Sequence, residues 1–354
     1  MKRIRVLVAD DSALMRQILK RIIGASAELD LVGSARDGED VVAKAKELRP
    51  DVISMDINMP KLDGISALQI ILNENICPVV MVSSLTQQGA TTTFECLELG
   101  AFDFVAKPDG TVSSHMGGVA DELISKLKAA ARRGIVDRLR GGRERRPSHR
   151  PPPRATPERI ARKRGIAIGI STGGPATLQE VLPNIPSDVA ASIFLVQHMP
   201  PAFIASFAKR LDDHCALKIV EGRSGMPVEP SVCYVAPGGM HLCLHRKMTG
   251  EIVIRTPTTP VTLFVPSVGV MMESVLKIYG NDTIGVLMTG IGDDGADGMV
   301  AIRQAGGYTI AESELTAVVY GMPREAIERG GASVVAPSYE VAEEILSAVG
   351  RSQA

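Results

Sequence analysis

Short apolar runs rich in β-branched residues alternate along this chain with longer stretches whose apolar residues recur every three or four positions. The first pattern predicts buried β-strands and the second predicts amphipathic helices. In the first 130 residues the strand-like runs lie at 4–9, 31–34, 52–55, 79–82 and 102–105. Strands that alternate with helices form a parallel sheet with helices on both faces, so the sequence predicts an α/β fold.

Polar residues stand where the predicted strands end, and ligands bind at the carboxyl ends of the strands in such sheets. In the first part of the chain these residues are Asp10, Asp11, Asp56, Ser83 and Lys107. Each of them alone is explained as a solvated cap of a strand end. Together they predict one small site with three carboxylates, a hydroxyl and an ammonium, and hard oxygen ligands of this kind suit Mg²⁺.

A second candidate site begins at Ser171, which follows the apolar run 166–170 and precedes a predicted helix with Pro175 in its first turn. The glycines at 169, 173 and 174 allow a tight turn, and the amides at the start of the helix could stabilise an oxyanion. The pattern Gly-x-Ser-x-Gly is that of a serine nucleophile between strand and helix. A turn that binds phosphate, or one that only packs closely, fits this stretch equally well.

Two further strand ends in the same half carry His198 and the neighbouring carboxylates Asp293 and Asp294. Serine, histidine and aspartate at three strand ends could form a catalytic triad. Their order along the chain differs from that of the α/β-hydrolases, so that particular fold is not implied. The alternatives are a strand-end histidine with an ordinary hydrogen bond and an aspartate that caps the helix near residue 296. His241 is a weaker candidate for a residue that lines the site.

The segment 131–164 separates the two halves and differs from both in composition. Residues 132–164 contain thirteen Lys or Arg, three Asp or Glu, and five prolines, with few large apolar side chains. Such a segment cannot build a core and is typical of a solvated linker. Its arginines either keep it extended by repulsion or contact an acidic partner. We therefore expect domains at residues 1–130 and 165–350.

Composition excludes several classes of protein. No run of 18 apolar residues and no signal-peptide pattern is present, so we expect a cytoplasmic protein without membrane insertion. The five cysteines show no C-x-x-C spacing, which argues against a disulfide framework or a zinc site. Aromatic residues make up 3% of the chain and tryptophan is absent, which argues against nucleic-acid binding by base stacking.

The first half resembles the receiver domain of two-component response regulators, in Asp10-Asp11, the run Ser-Met-Asp-Ile-Asn-Met-Pro-Lys-Leu-Asp-Gly around Asp56, Ser83 and Lys107-Pro108. The resemblance implies a flavodoxin-like, five-stranded parallel sheet. It also implies that Asp56 accepts phosphate from a sensor histidine kinase, while Ser83 and Lys107 contact the phosphoryl group. The magnesium site implied by the resemblance comprises Asp10, Asp11, Asp56 and the backbone carbonyl of Asn58.

The second half resembles the chemotaxis protein-glutamate methylesterases of the CheB family in Gly-Ile-Ser-Thr-Gly-Gly-Pro, Gln-His-Met-Pro, Tyr-Val-Ala-Pro-Gly, Leu-Met-Thr-Gly-Ile-Gly-Asp-Asp-Gly and Tyr-Gly-Met-Pro-Arg-Glu-Ala. The resemblance implies a doubly wound α/β domain with a mostly parallel sheet. It implies hydrolysis of glutamate methyl esters on chemoreceptors, deamidation of receptor glutamines, and no cofactor for the esterase. The implied nucleophile, base and orienting acid are Ser171, His198 and Asp294. The implied oxyanion site involves Thr172 and the amide of Ile291.

This sequence departs from the family pattern at several positions. The family usually has a polar, basic run within residues 256–269 and an aspartate in place of Gly269, so the substrate surface is expected to differ. Ile291 replaces a methionine and Asp293 an asparagine. Two alternatives remain open: a response regulator whose second domain only binds a partner, and a hydrolase of other small esters.

Overall fold

The computed structural model describes residues 3–107, 116–139 and 164–351. The chain forms two compact units that divide between residues 145 and 146. Among the described residues no helix is long and apolar enough to cross a membrane.

The first unit is a five-stranded parallel sheet with the strand order β2-β1-β3-β4-β5. Its strands are β1 (Ile4–Ala9), β2 (Leu29–Ala35), β3 (Val52–Asp56), β4 (Val79–Ser83) and β5 (Asp103–Ala106). Its helices are α1 (Ala13–Gly24), α2 (Gly38–Leu48), α3 (Gly64–Asn73), α4 (Gln87–Leu99) and α5 (Met116–Leu139). Every residue of β3 and β4 is buried, as expected for central strands with both faces covered. This order is the flavodoxin-like one, which confirms the predicted fold.

The helix α5 continues to Leu139, so the start of the segment predicted as a linker is helical. Like charges and few large apolar side chains argue against a core, but they do not prevent a helix. The remainder of that segment, residues 140–163, lies outside the described residues, and the linker there stays a prediction.

The second unit has a seven-stranded sheet with the strand order β14-β13-β12-β6-β7-β9-β8, and all of its pairings are parallel. These strands are β6 (Arg164–Ile170), β7 (Ala191–Gln197), β8 (Lys218–Glu221), β9 (Val232–Val235), β12 (Thr283–Leu287), β13 (Tyr308–Glu312) and β14 (Val334–Ala336). A separate antiparallel pair is formed by β10 (Cys243–Arg246) and β11 (Ile252–Arg255). The prediction of a doubly wound, mostly parallel sheet is confirmed.

In the described part of this unit, six α-helices surround the sheet: α6 (Gly174–Val181), α7 (Pro201–His214), α8 (Val268–Tyr279), α9 (Ala296–Gln304), α10 (Met322–Glu328) and α11 (Ser338–Gly350). From β6 the chain first builds the sheet outward through β7, and later returns to the other side of β6 through β12. The strand order therefore reverses between β6 and β12, which is where doubly wound sheets bind their ligands.

Gly165, the second residue of β6, packs directly against the aromatic ring of Tyr279 in α8. A Cβ atom added at Gly165 would lie 2.4 Å from the ring of Tyr279. That ring also lies 6.1 Å, between centroids, from the buried Phe194. The core therefore has no room for a side chain at this position.

We predict that Gly165→Ala destabilises the second unit by about 1–3 kcal/mol, because overpacking a filled core costs that much. All five tyrosines lie in the second unit and the chain has no tryptophan, so tyrosine fluorescence reports on this unit alone during denaturant unfolding. Gly350→Ala is the matched control, since a Cβ there meets nothing within 4 Å. Equal midpoints for the two variants would contradict the prediction.

Candidate active site and phosphorylation site

Ser171 follows β6 immediately and is succeeded by a glycine turn that opens α6. Gly173 has φ +78°, a conformation that side chains disfavour, and a Cβ on it would lie 2.4 Å from Val318. A Cβ on Gly174 would lie 2.0 Å from the side-chain oxygen of Gln197. The glycines are thus required by both backbone conformation and packing, and they produce the strand-to-helix turn predicted around Ser171.

The neighbouring strand β12 delivers a second loop to Ser171. The amide of Ser171 donates to the carbonyl of Thr289 at 2.9 Å. A Cβ on Gly290 would lie 2.8 Å from the Cβ of Ser171, so this loop passes directly beside the serine. Parallel pairing of β6 with β12 places both strand ends at the same edge, which explains the contact.

His198 follows β7, the neighbour of β6 on its other side. Its amide donates to the carbonyl of Ile170 at 3.1 Å, and its ring nitrogen Nε2 lies 2.9 Å from Oδ2 of Asp294. The other ring nitrogen, Nδ1, is buried and has no hydrogen-bond partner among the described residues. Because the carboxylate accepts the proton on Nε2, Nδ1 carries the lone pair that a base needs.

Asp294 is held by four hydrogen bonds, three of which come from the start of α8. Its Oδ2 accepts from His198 and also from the amide of Val268, at 2.8 Å. Its Oδ1 accepts from the hydroxyl of Ser267 at 2.8 Å and from the amide of Gly269 at 2.9 Å. The positive end of a helix is a favourable site for a carboxylate, so α8 both orients and stabilises Asp294.

The electrostatic balance at Asp294 favours its ionised form. Burial on its own would raise the pKa of Asp294, but the hydrogen bond and charge of His198, with the amides of Gly269 and Val268, hold that pKa below its usual value. The carboxylate therefore stays negative at neutral pH. A negative group at this place stabilises an imidazolium when His198 takes a proton.

The neighbouring Asp293 has a different environment. Its carboxylate is 62% exposed and pairs with Arg329 at 2.6 Å, and the same guanidinium contacts Asp297 at 2.8 Å. The helix α9 begins without any side-chain cap, so neither aspartate serves as one. The structure thus brings Asp294, and not Asp293, to His198.

Gln197 connects the serine and histidine strand ends, a role that the sequence analysis missed. Its side-chain amide nitrogen donates to the carbonyls of both Ser171 and His198, each at 2.9 Å. The side chain is almost completely buried, so the two bonds are shielded from water. The position before a strand-end histidine is the only sequence signal for this residue.

The serine hydroxyl itself is not hydrogen-bonded to the imidazole, since Nδ1 has no partner in the described part of the chain. A hydrogen bond between the serine and the imidazole is often absent in a free enzyme and forms when a substrate binds. Gln197 nevertheless fixes the backbones of both residues.

The residues predicted for an oxyanion site lie on the two loops beside Ser171. Within the described residues the amides of Thr172 and Ile291 donate to no hydrogen-bond acceptor. The hydroxyl of Thr289 joins these loops by donating to the carbonyl of Thr172 at 2.8 Å. The amide of Thr289 in turn donates to the fully buried Glu312 at 2.8 Å. Glu312, which the sequence analysis did not select, therefore anchors the loop that carries Ile291.

His241 is fully buried and supports a loop next to the site, residues 256–267, which we call the apolar loop. Its Nε2 lies 2.9 Å from the carbonyl of Pro260, and the amide of Ser267 donates to its Nδ1 at 3.1 Å. Phe264 of the same loop stacks on the ring of His198, with centroids 4.3 Å apart and planes at 12°. His241 is therefore a supporting residue, while Phe264 contacts the imidazole directly.

The predicted acidic site of the first unit is also assembled. Carboxylate oxygens of Asp10, Asp11 and Asp56 lie within 4.8 Å of one another. The ammonium of Lys107 lies 2.7 Å from Asp56 and 3.2 Å from Asp10. Burial raises the pKa of Asp56 above its usual value, and this outweighs the opposing effect of Lys107. Asn58 lies in the exposed part of the loop after β3.

These residues fit a hard divalent cation. Oδ1 of Asp56 is buried without a hydrogen-bond partner among the described residues, and Asp11 is exposed beside it. Grouped carboxylate oxygens of this kind are the ligands that Mg²⁺ prefers.

Ser83 points into its own loop and toward α4. Its hydroxyl accepts from Thr93 at 2.8 Å and lies 3.3 Å from the carbonyl of Gly89. Contact with a phosphoryl group on Asp56 therefore requires this hydroxyl to exchange partners. Thr93, which is fully buried, is a further residue that the sequence analysis did not select.

The folds and the grouped residues define a class of protein: a receiver-like unit joined to an α/β unit in which Ser, His and Asp meet as in serine hydrolases. Residues 6–112 match the family model of the response regulator receiver domain, and residues 166–345 match that of CheB methylesterase. The chain belongs to the CheB methylesterase family.

Relatives with the same domain composition are similar over nearly the whole chain. A protein of Syntrophomonas wolfei named protein-glutamate methylesterase/protein-glutamine glutaminase 3 is 58% identical, covering 98% of this chain and 100% of its own. A protein-glutamate methylesterase/protein-glutamine glutaminase of Caldanaerobacter subterraneus is 49% identical, covering 98% and 97%. The crystal structure of the Thermotoga maritima CheB methylesterase catalytic domain aligns with a TM-score of 0.51 at 37% identity, covering 52% of this chain and 98% of that one.

We predict that Asp294→Asn lowers kcat for hydrolysis of p-nitrophenyl acetate by about 10⁴-fold. An asparagine amide placed among four donors cannot accept from all of them, so the imidazole loses the tautomer that leaves Nδ1 unprotonated. Asp293→Asn is the matched control and should change kcat less than about fivefold, because it removes only an exposed ion pair. If Asp293→Asn were the more damaging change, the assignment of Asp294 would be wrong.

Proposed function

We propose that this protein hydrolyses glutamate γ-methyl esters on methylated chemoreceptors, releasing methanol, and that it deamidates receptor glutamines. The observation that carries the proposal is the contact of His198 with Asp294 at the edge of the sheet where Ser171 follows β6. The names of the relatives that cover the whole chain supply the substrate class.

In the proposed reaction, Ser171 Oγ attacks the ester carbonyl while Nδ1 of His198 takes its proton. The amides of Thr172 and Ile291 hold the negative oxygen of the tetrahedral intermediate. The imidazolium, stabilised by Asp294, then protonates the departing methoxide, and methanol leaves an acyl-enzyme on Ser171. A water molecule activated by His198 hydrolyses this acyl-enzyme to the glutamate carboxylate. A glutamine side chain follows the same path with ammonia as the leaving group.

We predict that Ser171→Ala reduces methanol release from membranes that carry methylated chemoreceptors by several powers of ten, to about 10³–10⁴ times the uncatalysed rate. His198→Ala should have a similar effect, because the two residues act as one unit. Methanol is measured by gas chromatography, and circular dichroism checks that the variants are folded. Near-normal release by a folded Ser171→Ala protein would disprove the assignment. Hydrolysis of p-nitrophenyl acetate without any release from receptors would favour a hydrolase of small esters.

We further propose that a sensor histidine kinase phosphorylates Asp56 and thereby controls the esterase. Lys107 already pairs with Asp56, so its ammonium would remain beside the phosphoryl group.

Asp10, Asp11, Asp56 and the carbonyl of Asn58 are the proposed ligands of Mg²⁺. A bound Mg²⁺ would supply positive charge beside the phosphoryl group, which carries about −1.5 to −2 in place of the single negative charge of the carboxylate. Ser83 would leave Thr93 to contact the phosphate. Because a phosphodonor of this kind acts in the cytoplasm, we propose the same location for this protein. We also propose that residues 140–163 are a linker.

We predict that a small phosphodonor, acetyl phosphate with Mg²⁺, raises the methylesterase activity of the wild-type chain by about 5- to 150-fold, the usual range of coupling between sites. Asp56→Ala should not respond, and EDTA should abolish the wild-type response. The readout is the initial rate of methanol release at one receptor concentration. An equal response of wild-type and Asp56→Ala proteins would contradict control through Asp56.

A further inference from the structure

The apolar loop, residues 256–267, presents two aliphatic side chains to solvent. Val261 is 92% exposed and Leu263 is 90% exposed. We propose that these side chains are a docking surface for the protein substrate and contact aliphatic side chains that flank the modified glutamate of the receptor. This inference rests on the proposed function, because it concerns the substrate of the same site.

The loop is held in a defined conformation. His241 fixes it at Pro260 and Ser267, and the amide of His241 donates to the carbonyl of Pro257 at 2.8 Å. The hydroxyl of Thr262 donates to the carbonyl of Phe264 at 2.6 Å. Both exposed side chains are therefore presented by an ordered backbone, and binding need not pay for ordering the loop.

The loop is continuous with the catalytic residues. Leu263 directly precedes Phe264, whose ring stacks on His198, and Ser267 at the end of the loop bonds to Asp294. Leu263 is therefore one residue away from the side chain that contacts the proposed base. Isolated exposed aliphatic residues are common and need no explanation. These two differ because a short, ordered segment joins them to the base.

The chemistry of the loop matches a neutral substrate side chain with aliphatic neighbours. No charged residue occurs between positions 256 and 269. A neutral methyl ester or amide is less costly to bring into such surroundings than the product carboxylate, which is disfavoured there without a counterion. The surface would thus favour the neutral substrate and promote release of the charged product.

The methylated receptor protein fits this surface better than a small ester does. Val261 and Leu263 are separated by one residue and both are almost fully exposed, so one partner surface can contact both side chains. A protein substrate extends beyond the ester that Ser171 attacks and can reach these side chains, whereas we expect a small ester to react without them.

The test compares Val261→Ser, Leu263→Ser and the double variant with the wild-type full chain. One substrate is a methylated chemoreceptor in membranes, and the other is the γ-methyl ester of N-acetyl-glutamate α-amide. For the receptor we expect kcat/KM to fall about tenfold for each side chain, which corresponds to about 1.4 kcal/mol. For the small ester we expect a change of less than about twofold.

Met248→Ser is the matched control. Met248 is also an aliphatic residue with full exposure, but it lies in the turn at the opposite end of β11 from the apolar loop. Its substitution should leave both substrates unaffected, so a general loss of surface hydrophobicity is separated from loss of docking.

Two results would overturn the docking surface. One is an unchanged kcat/KM of the double variant for the receptor. The other is an equal loss for both substrates, which would mean that the loop acts on catalytic geometry instead. A wild-type protein that hydrolyses the small ester but not the receptor would refute the proposed function itself, and the docking surface with it.

Discussion

The second site depends on the hydrogen bonds that the carboxylate of Asp294 accepts. It accepts hydrogen bonds from one ring nitrogen of His198 and from three groups at the start of α8. Through it, the loop after β12, the start of α8 and the end of β7 become one rigid assembly. The apolar loop is part of this assembly because Ser267, its last residue, is also the N-cap of α8. The proposed catalytic geometry and the proposed docking surface therefore depend on the same few bonds.

In both units the candidate functional residues lie at the same place in the fold, because the carboxyl ends of parallel strands meet at one edge of the sheet. In the first unit this edge collects carboxylates and an ammonium, and burial makes the charge on Asp56 unfavourable. In the second unit it collects Ser171, His198 and Asp294, and the hydrogen bond from His198, together with amides at the start of α8, makes the charge on Asp294 favourable. The same architecture thus disfavours the charge on one acidic group and favours it on the other.

Much of this could be predicted from the sequence, because local patterns determine strands and the residue that ends each strand. The positions of Ser171 and His198 followed from apolar runs alone, and the resemblance to a family separated Asp294 from Asp293. The bond of Gln197 to Ser171, the pairing of Asp293 with Arg329 and the stacking of Phe264 could not be predicted, since they join residues far apart in the chain through the directions of side chains. The extension of α5 to Leu139 was missed because composition reports on the ability to form a core and not on backbone conformation.

In the proposed reaction Nδ1 of His198 is the base, and the place of this atom in the ring has a mechanical consequence. This nitrogen is bonded to the ring carbon that carries Cβ, whereas Nε2 lies on the far side of the ring, so rotation about the Cα–Cβ bond displaces Nδ1 over a shorter arc than Nε2. Placement of the reactive nitrogen is then governed less by the rotamer of His198 than by its backbone, which Gln197 ties to that of Ser171. The position of the reactive nitrogen therefore depends mainly on the backbone, which is held in place by the sheet.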